Sequence, residues 1–113
     1  MELTPGHLAH DLQRFVRHPH PLLATLEADA AVRGVPIIGP WEGQILALLA
    51  RTIQARRILE LGTATGYSTL WLATAVADWE GQVITIEQDA LRVREARQHL
   101  QEAGVSEIGR AHV

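Results

Sequence analysis

The chain has 113 residues, 47% of them hydrophobic and 20% charged, which fits one globular domain at most. Ten basic residues against thirteen acidic ones leave a net charge of -3, so no cationic excess exists to hold a nucleic-acid backbone. Cysteine and lysine are both missing, which excludes disulfide frameworks, thiol catalysis, Schiff-base chemistry and the lysine of a phosphate-binding P-loop. No apolar run approaches the ~20 residues needed to cross a bilayer. Met1–Pro5 has neither a cationic region nor an apolar core, so it does not read as a signal peptide. A cytoplasmic protein with no membrane or nucleic-acid partner is the expectation.

In chain order, Leu8, Leu12, Phe15 and Val16 recur at helical spacing and predict an amphipathic helix from Pro5 to about Arg17. His18-Pro19-His20-Pro21 breaks it, because proline cannot continue the hydrogen-bond ladder. A second helix is predicted from Leu22 to about Arg33, ended by Gly34, and Val35–Pro40 reads as a loop. A third covers Glu42 to about Ala55, with Ile45, Leu46, Leu49 and Ile53 as its expected buried stripe. Then the pattern changes. Arg57–Leu61 reads as a strand ending at Gly62, followed by a helix from Gly66 to about Asp78. Gln82–Glu87 is a second strand. Asp89 caps a last helix from Ala90 to about Ala103, which Gly104 terminates. Val105–Val113 holds the start of a third strand.

Strands alternating with helices imply βαβ units and a parallel sheet with right-handed crossovers. The expected fold is α/β: a Rossmann-like, doubly wound parallel sheet that is incomplete. Residues 1–55 form an N-terminal helical segment, and residues 56–113 the first part of the ligand-binding domain. Two βα units of 25 and 23 residues cannot cover both faces of an ordinary parallel sheet. The sequence is therefore expected to be an N-terminal fragment of a longer reading frame, or a chain that borrows surface from neighbours. An apolar edge including Val83, Ile84 and Ile86 is expected to stand open on the second strand.

The stretch richest in chemistry is Glu60-Leu61-Gly62-Thr63-Ala64-Thr65-Gly66-Tyr67-Ser68. An acidic residue ends a strand, two glycines let the backbone approach a ligand, and a helix N-terminus offers free N–H donors. Glu60 sets a negative charge beside those donors, so a ligand bearing both an ammonium and a carboxylate fits the pair. Spacing rules out the dinucleotide fingerprint, since the loop reads G-x-x-x-G rather than G-x-G-x-x-G. Taken alone, Gly62 and Gly66 also fit a plain tight strand-to-helix turn, the lesser of the two readings. Glu87 adds to the ligand reading. It ends the second strand 25 residues past Gly62, and in doubly wound folds an acidic residue about 20 residues on accepts the ribose hydroxyls. Asp89 competes for that role but suits the N-cap of the last helix better.

The Glu60–Ser68 stretch resembles the first motif of class I S-adenosylmethionine-dependent methyltransferases. It is most similar to the caffeoyl-CoA and catechol O-methyltransferase group, which carries Glu-x-Gly-x-x-x-Gly-Tyr-Ser. Glu42-Gly43-Gln44 resembles the Glu-Gly-Gln before the first strand in that group, and Glu87 followed by a helix ending in Ala103-Gly104-Val105 is similar as well. The resemblance runs from about Pro36 to Val105. It implies S-adenosyl-L-methionine as cofactor, with Gly62 and Ala64 lining its amino-acid end. Ser68 would bind its carboxylate, Glu60 would face its ammonium, and Ile38 would touch the methionine part. Glu87 would hold the ribose, with Gln88 beside the adenine. It further implies methyl transfer to a hydroxyl of a small, phenolic or catechol-like acceptor, and a homodimer with N-terminal helices across the interface. The divalent metal (Mg) and catalytic residue of the group come from segments after the fourth strand, so neither is assigned here. A second reading is a non-catalytic remnant that binds a partner or oligomerises.

Other features carry less. His7 and His10 lie three apart, and His18 and His20 flank a proline, but no third ligand completes a metal set. These histidines are expected to be solvated, and His99 and His112 have no partner visible in sequence. Trp71 reads as core packing, whereas Trp41 stays open between packing and stacking on a ligand. The charges Arg92, Arg94, Glu95, Arg97 and Glu102 read as an ordinary solvated helix face.

Overall fold

Three parallel strands organise the computed structural model, which describes residues 5–113. The reading of Met1–Thr4 as no leader lies outside those residues. Strands β1 (Arg57–Leu61), β2 (Gln82–Ile86) and β3 (Gly109–His112) lie side by side in that order. The register sets Glu60 beside Thr85 and Leu59 beside Ile84. Helix α4 (Tyr67–Val76) connects β1 to β2, and α5 (Ala90–Glu102) connects β2 to β3. This is the βαβαβ order expected of the front of a doubly wound sheet.

Helix α4 is buried over most of its length, from Tyr67 to Val76, because it lies between the sheet and the N-terminal helices. A helix apolar all round has to be enclosed in this way. Helices α2 (Leu22–Arg33) and α3 (Pro40–Thr52) supply the outer layer, and Leu23, Leu26, Ala47 and Ala50 join Leu70 and Trp71 in the core. Gly34 ends α2 in the left-handed conformation (φ 68°), which glycine adopts without strain. Asp89 caps α5 as expected, its Oδ1 accepting the Leu91 N–H at 2.9 Å.

Several expectations are corrected. Helix α1 is Pro5–Gln13, and residues 14 and 15 form a turn through Arg14 N–H to Asp11 O and Phe15 N–H to Leu12 O. Phe15 is consequently 71% exposed. Helix α3 starts at Pro40, whose missing N–H suits a first helical turn, and it stops at Thr52. Its buried face is Gly43, Ala47 and Ala50, while Ile45, Leu49 and Ile53 are exposed and Leu46 half-buried. Small residues face α4 because the indole of Trp71 occupies the space between the helices. Helix α4 ends at Val76, and Ala77–Trp79 continues as one 3-10 turn pinned by Trp79 Nε1 donating to Ala55 O at 2.8 Å.

Open apolar surface is present, but on a face of the sheet and not on an edge. Strand β2 is the middle strand and Val83 is fully buried, whereas Leu59, Leu61, Ile84 and Ile86 form one exposed face opposite the helices. His7, His10 and His18 are exposed as expected, whereas His20 is half-buried, and hydrogen bonds hold His18, His20 and His99. His20 Nδ1 accepts the Leu22 N–H at 3.0 Å at the start of α2, His18 bonds Glu27, and His99 Nδ1 donates to Thr65 O at 2.7 Å. Among the charges of α5, Glu95 pairs with Arg92 and with Arg33 of α2, and Arg97 Nε donates to Ala111 O. Among the described residues no group of three or more His, Asp or Glu is placed to hold a metal ion, and no helix is long and apolar enough to cross a membrane.

Candidate functional site

The turn between β1 and α4 has an unusual backbone. Gly62 (φ 92°), Ala64 (φ 47°) and Gly66 (φ 91°) all have positive φ within five residues. For alanine that conformation costs about 1–2 kcal/mol, so something must hold it. Glu87 does: its Oε1 accepts the Ala64 N–H at 3.0 Å, and its Oε2 accepts the Asp89 N–H at 3.0 Å. The end of β2 is thereby tied to the turn after β1. Gly66 is set by packing as well as by φ, since a Cβ there would press on Ala96 of α5 at 3.2 Å. At Gly62 a Cβ would meet no atom within 4 Å, because the turn opens there onto free space.

That space is a cleft of about 250 Å³ walled by Pro36, Ile37 and Ile38 on one side and Gly62, Thr63, Ala64, Tyr67 and Ser68 on the other. The first turn of α4 ends on it with no side-chain cap, so its N–H donors are available to an anion.

Beneath the turn, Glu60 gathers hydroxyls. Its Oε2 accepts from Ser68 at 2.5 Å, and its Oε1 from Thr69 at 2.5 Å and Thr85 at 2.8 Å. Thr63 and Thr85 share a further bond at 2.6 Å. The register placing Glu60 beside Thr85 makes this possible. Three hydroxyl donors thus converge on the half-buried Glu60 carboxylate and fix its position next to Ser68 of the cleft.

Six of the seven sequence-assigned residues thus cluster: Ile38, Gly62, Ala64 and Ser68 on the cleft, Glu60 below it and Glu87 bonded to its rim. Gln88 is exposed next to Glu87. The sequence reading missed Pro36, Ile37, Thr63 and Tyr67 as lining residues. Adjacency to Ile38, Gly62 and Gly66 was the available signal.

The Asp89 and Ala64 N–H groups, in that order, hold the Glu87 carboxyl below its ordinary value of 4.5. Its folded pKa therefore lies under its unfolded one. The stability it contributes is complete above the ordinary value and is lost as pH falls through the lowered one. Wild type is expected to lose thermal stability in that acid window by a component missing from Glu87→Gln, measured by melting from about pH 6 down to about pH 3. Parallel profiles for the two proteins would contradict the tie.

A sequence model of the O-methyltransferase family matches residues 17–110. The chain belongs to the O-methyltransferase family. The catechol O-methyltransferase of Mycobacterium tuberculosis is 44% identical over 87 residues, covering 76% of this chain and 39% of that relative. The catechol O-methyltransferase of Niastella koreensis is 42% identical over 78 residues, 67% of this chain and 35% of that one. The chain thus spans well under half the length of these curated relatives. Among solved structures, the Streptomyces achromogenes O-methyltransferase TomG, in complex with SAM, superposes with a TM-score of 0.80 at 34% identity, over 93% of this chain and 47% of that chain. The Bacillus cereus O-methyltransferase in complex with SAH gives 0.82 at 27% identity, over 94% and 49%. The incomplete Rossmann-like sheet is accordingly the fold of this family, present over about half of its length.

Proposed function

We propose that the chain is the cofactor-binding part of an S-adenosylmethionine-dependent O-methyltransferase that methylates a hydroxyl of a small phenolic, catechol-like acceptor. The observation that carries this is the open cleft at Gly62, with donors from α4 at one end and the Glu87 carboxylate tied to its rim. The names of the relatives support the acceptor class. When bound, the cofactor supplies an electrophilic methyl group whose leaving sulfur needs no acid.

The chain's own residues then bind and orient. The first-turn N–H groups of α4 receive the cofactor's carboxylate. Ser68 exchanges its bond to Glu60 for one to that carboxylate, which frees Glu60 Oε2 for the ammonium. Gly62 and Ala64 admit the backbone close to the amino-acid end, and Ile38 packs on the methionine chain from the opposite wall. Glu87 uses its remaining lone pairs for the ribose diol, and Gln88 lies beside the adenine. Fixing the cofactor in one pose is the main catalytic service such residues give, because methyl transfer needs an in-line approach of the acceptor.

Calorimetry with S-adenosylhomocysteine and with NAD tests the reading. Binding of the first in the micromolar range and none of the second is expected. Binding of NAD alone would sink it. A second reading, a non-catalytic module that binds another protein surface, is favoured by the exposed Leu59, Leu61, Ile84 and Ile86 face. Methyl transfer to catechols by the purified chain would remove that alternative.

A further inference from the structure

Glu27 lies on α2, outside the motifs that mark the cofactor turn. Yet one of its oxygens, Oε2, accepts both the Tyr67 hydroxyl at 2.6 Å and His18 Nε2 at 2.7 Å. A carboxylate oxygen only accepts, so His18 carries its proton on Nε2. Tyr67 is 1% exposed, and burial, followed by the Glu27 bond, pushes its ionisation well above the ordinary value. The phenol therefore stays protonated and remains a donor. Three separate stretches meet at this oxygen: the connector before α2, α2 itself, and the first residue of α4.

The position of the junction is what matters. Tyr67 lines the cofactor cleft together with Gly62, Thr63 and Ala64. The opposite wall, Pro36–Ile38, follows α2 after Gly34 and Val35, and Glu27 lines a second groove that shares Pro36–Ile38 with the cleft. The Tyr67–Glu27 bond thus ties the helix that precedes one wall to a residue of the other, the first of α4. We propose that Glu27 is a positioning residue for the cofactor: through Tyr67 it sets the separation of the Ile37–Ile38 wall from the glycine turn, without itself touching the ligand. The inference rests on the methyltransferase reading only for what fills the cleft.

A purely structural role would have a different signature. Leu23, Leu26 and Ala30 already bury the inner face of α2, so the helix stays docked without the carboxylate. Loss of the bond should then loosen the wall more than the fold.

Four variants test this: Glu27→Leu, Tyr67→Phe, the two combined, and Glu27→Gln, which keeps an acceptor oxygen for the phenol. Affinity for S-adenosylhomocysteine is read by calorimetry at a temperature where circular dichroism shows each variant folded. Amide exchange is read at residues 35–39 and 62–68 in the unliganded chain. Glu27→Leu and Tyr67→Phe are each expected to weaken binding about tenfold, which is about 1.4 kcal/mol. Both should speed exchange in the two segments, and the double variant should lose no more than either single one. Glu27→Gln should recover most of the loss. Folded Glu27→Leu or Tyr67→Phe with wild-type exchange in both segments would overturn the proposal, as would additive losses. Should Glu27→Leu fail to fold, Tyr67→Phe, which leaves Glu27 paired with His18, decides alone. Failure of the wild-type chain to bind S-adenosylhomocysteine would refute the methyltransferase reading, while the exchange comparison still decides the role of Glu27.

Discussion

Gly43→Ala is expected to destabilise the chain by about 2 kcal/mol, a large effect for one methyl group on a helix. An alanine Cβ at this position would lie 2.3 Å from Nε1, 2.5 Å from Cδ1 and 2.6 Å from Cε2 of Trp71. None of these is the far end of a flexible chain. The indole is rigid, 1% exposed, and flanked by the His18 ring with centroids 5.9 Å apart. Relief requires α3 to move off α4, which opens the core along Ala47 and Ala50. Overpacking of that severity costs about 3 kcal/mol, and alanine's better helix propensity returns about 1 kcal/mol. At this size the net loss corresponds to a melting shift of roughly 10 °C. A smaller side chain at the partner position is the control. Trp71→Leu should lower stability alone but do less harm in the Gly43→Ala background, giving a coupling measurable by thermal unfolding of the four proteins. Additive losses would show that Gly43 is not there for the indole.

That contact explains why the helical layer was the least legible part of the sequence. Hydropathy ranks Ile45, Leu46, Leu49 and Ile53 above Gly43, Ala47 and Ala50, so the stripe was assigned to the larger residues. The structure buries the small ones because a tryptophan on the facing helix needs the room, and sequence spacing does not reveal which helix faces which. Helix α2 was legible because Pro21 and Gly34 bound it chemically. The strands and the glycine turn were legible because their signals are local. Glu60, Gly62, Gly66 and Ser68 lie within nine residues, and Asp89 caps the helix that begins at the next residue.

The supporting contacts were not legible, for the opposite reason. Glu27 and Tyr67 stand 40 residues apart, His99 and Thr65 34 apart, and no periodicity links either pair. His18 and His20 looked solvated because a Pro-flanked turn usually is. The exposed His18 also bonds Glu27, and the half-buried His20 accepts the first free N–H of α2.

Gly62→Ala separates folding from ligand binding more sharply than any other single change in the turn. Nothing in the chain lies within 4 Å of the added Cβ, so the fold meets no clash. The cost to stability is the strain of an L-residue at φ 92°, about 1–3 kcal/mol if the turn keeps its shape. The cost to binding is of another kind. The same φ turns the backbone toward the cleft that Ile38 and Ser68 also line, and under the proposed function a methyl group there would stand between the backbone and the cofactor. If alanine relaxes the strain by moving to negative φ, the turn changes shape and the Ala64 N–H moves away from Glu87, so binding suffers by either route. Affinity for S-adenosylhomocysteine is expected to fall about 100-fold, or about 2.7 kcal/mol, in a chain that still unfolds cooperatively. Gly66→Ala provides the contrast. Its Cβ presses on Ala96 of α5 in addition to the same φ strain, so it should lower the melting temperature further than Gly62→Ala does. A Gly62→Ala chain that binds S-adenosylhomocysteine as wild type does would mean that the ligand lies elsewhere, and would remove the cleft as the cofactor site.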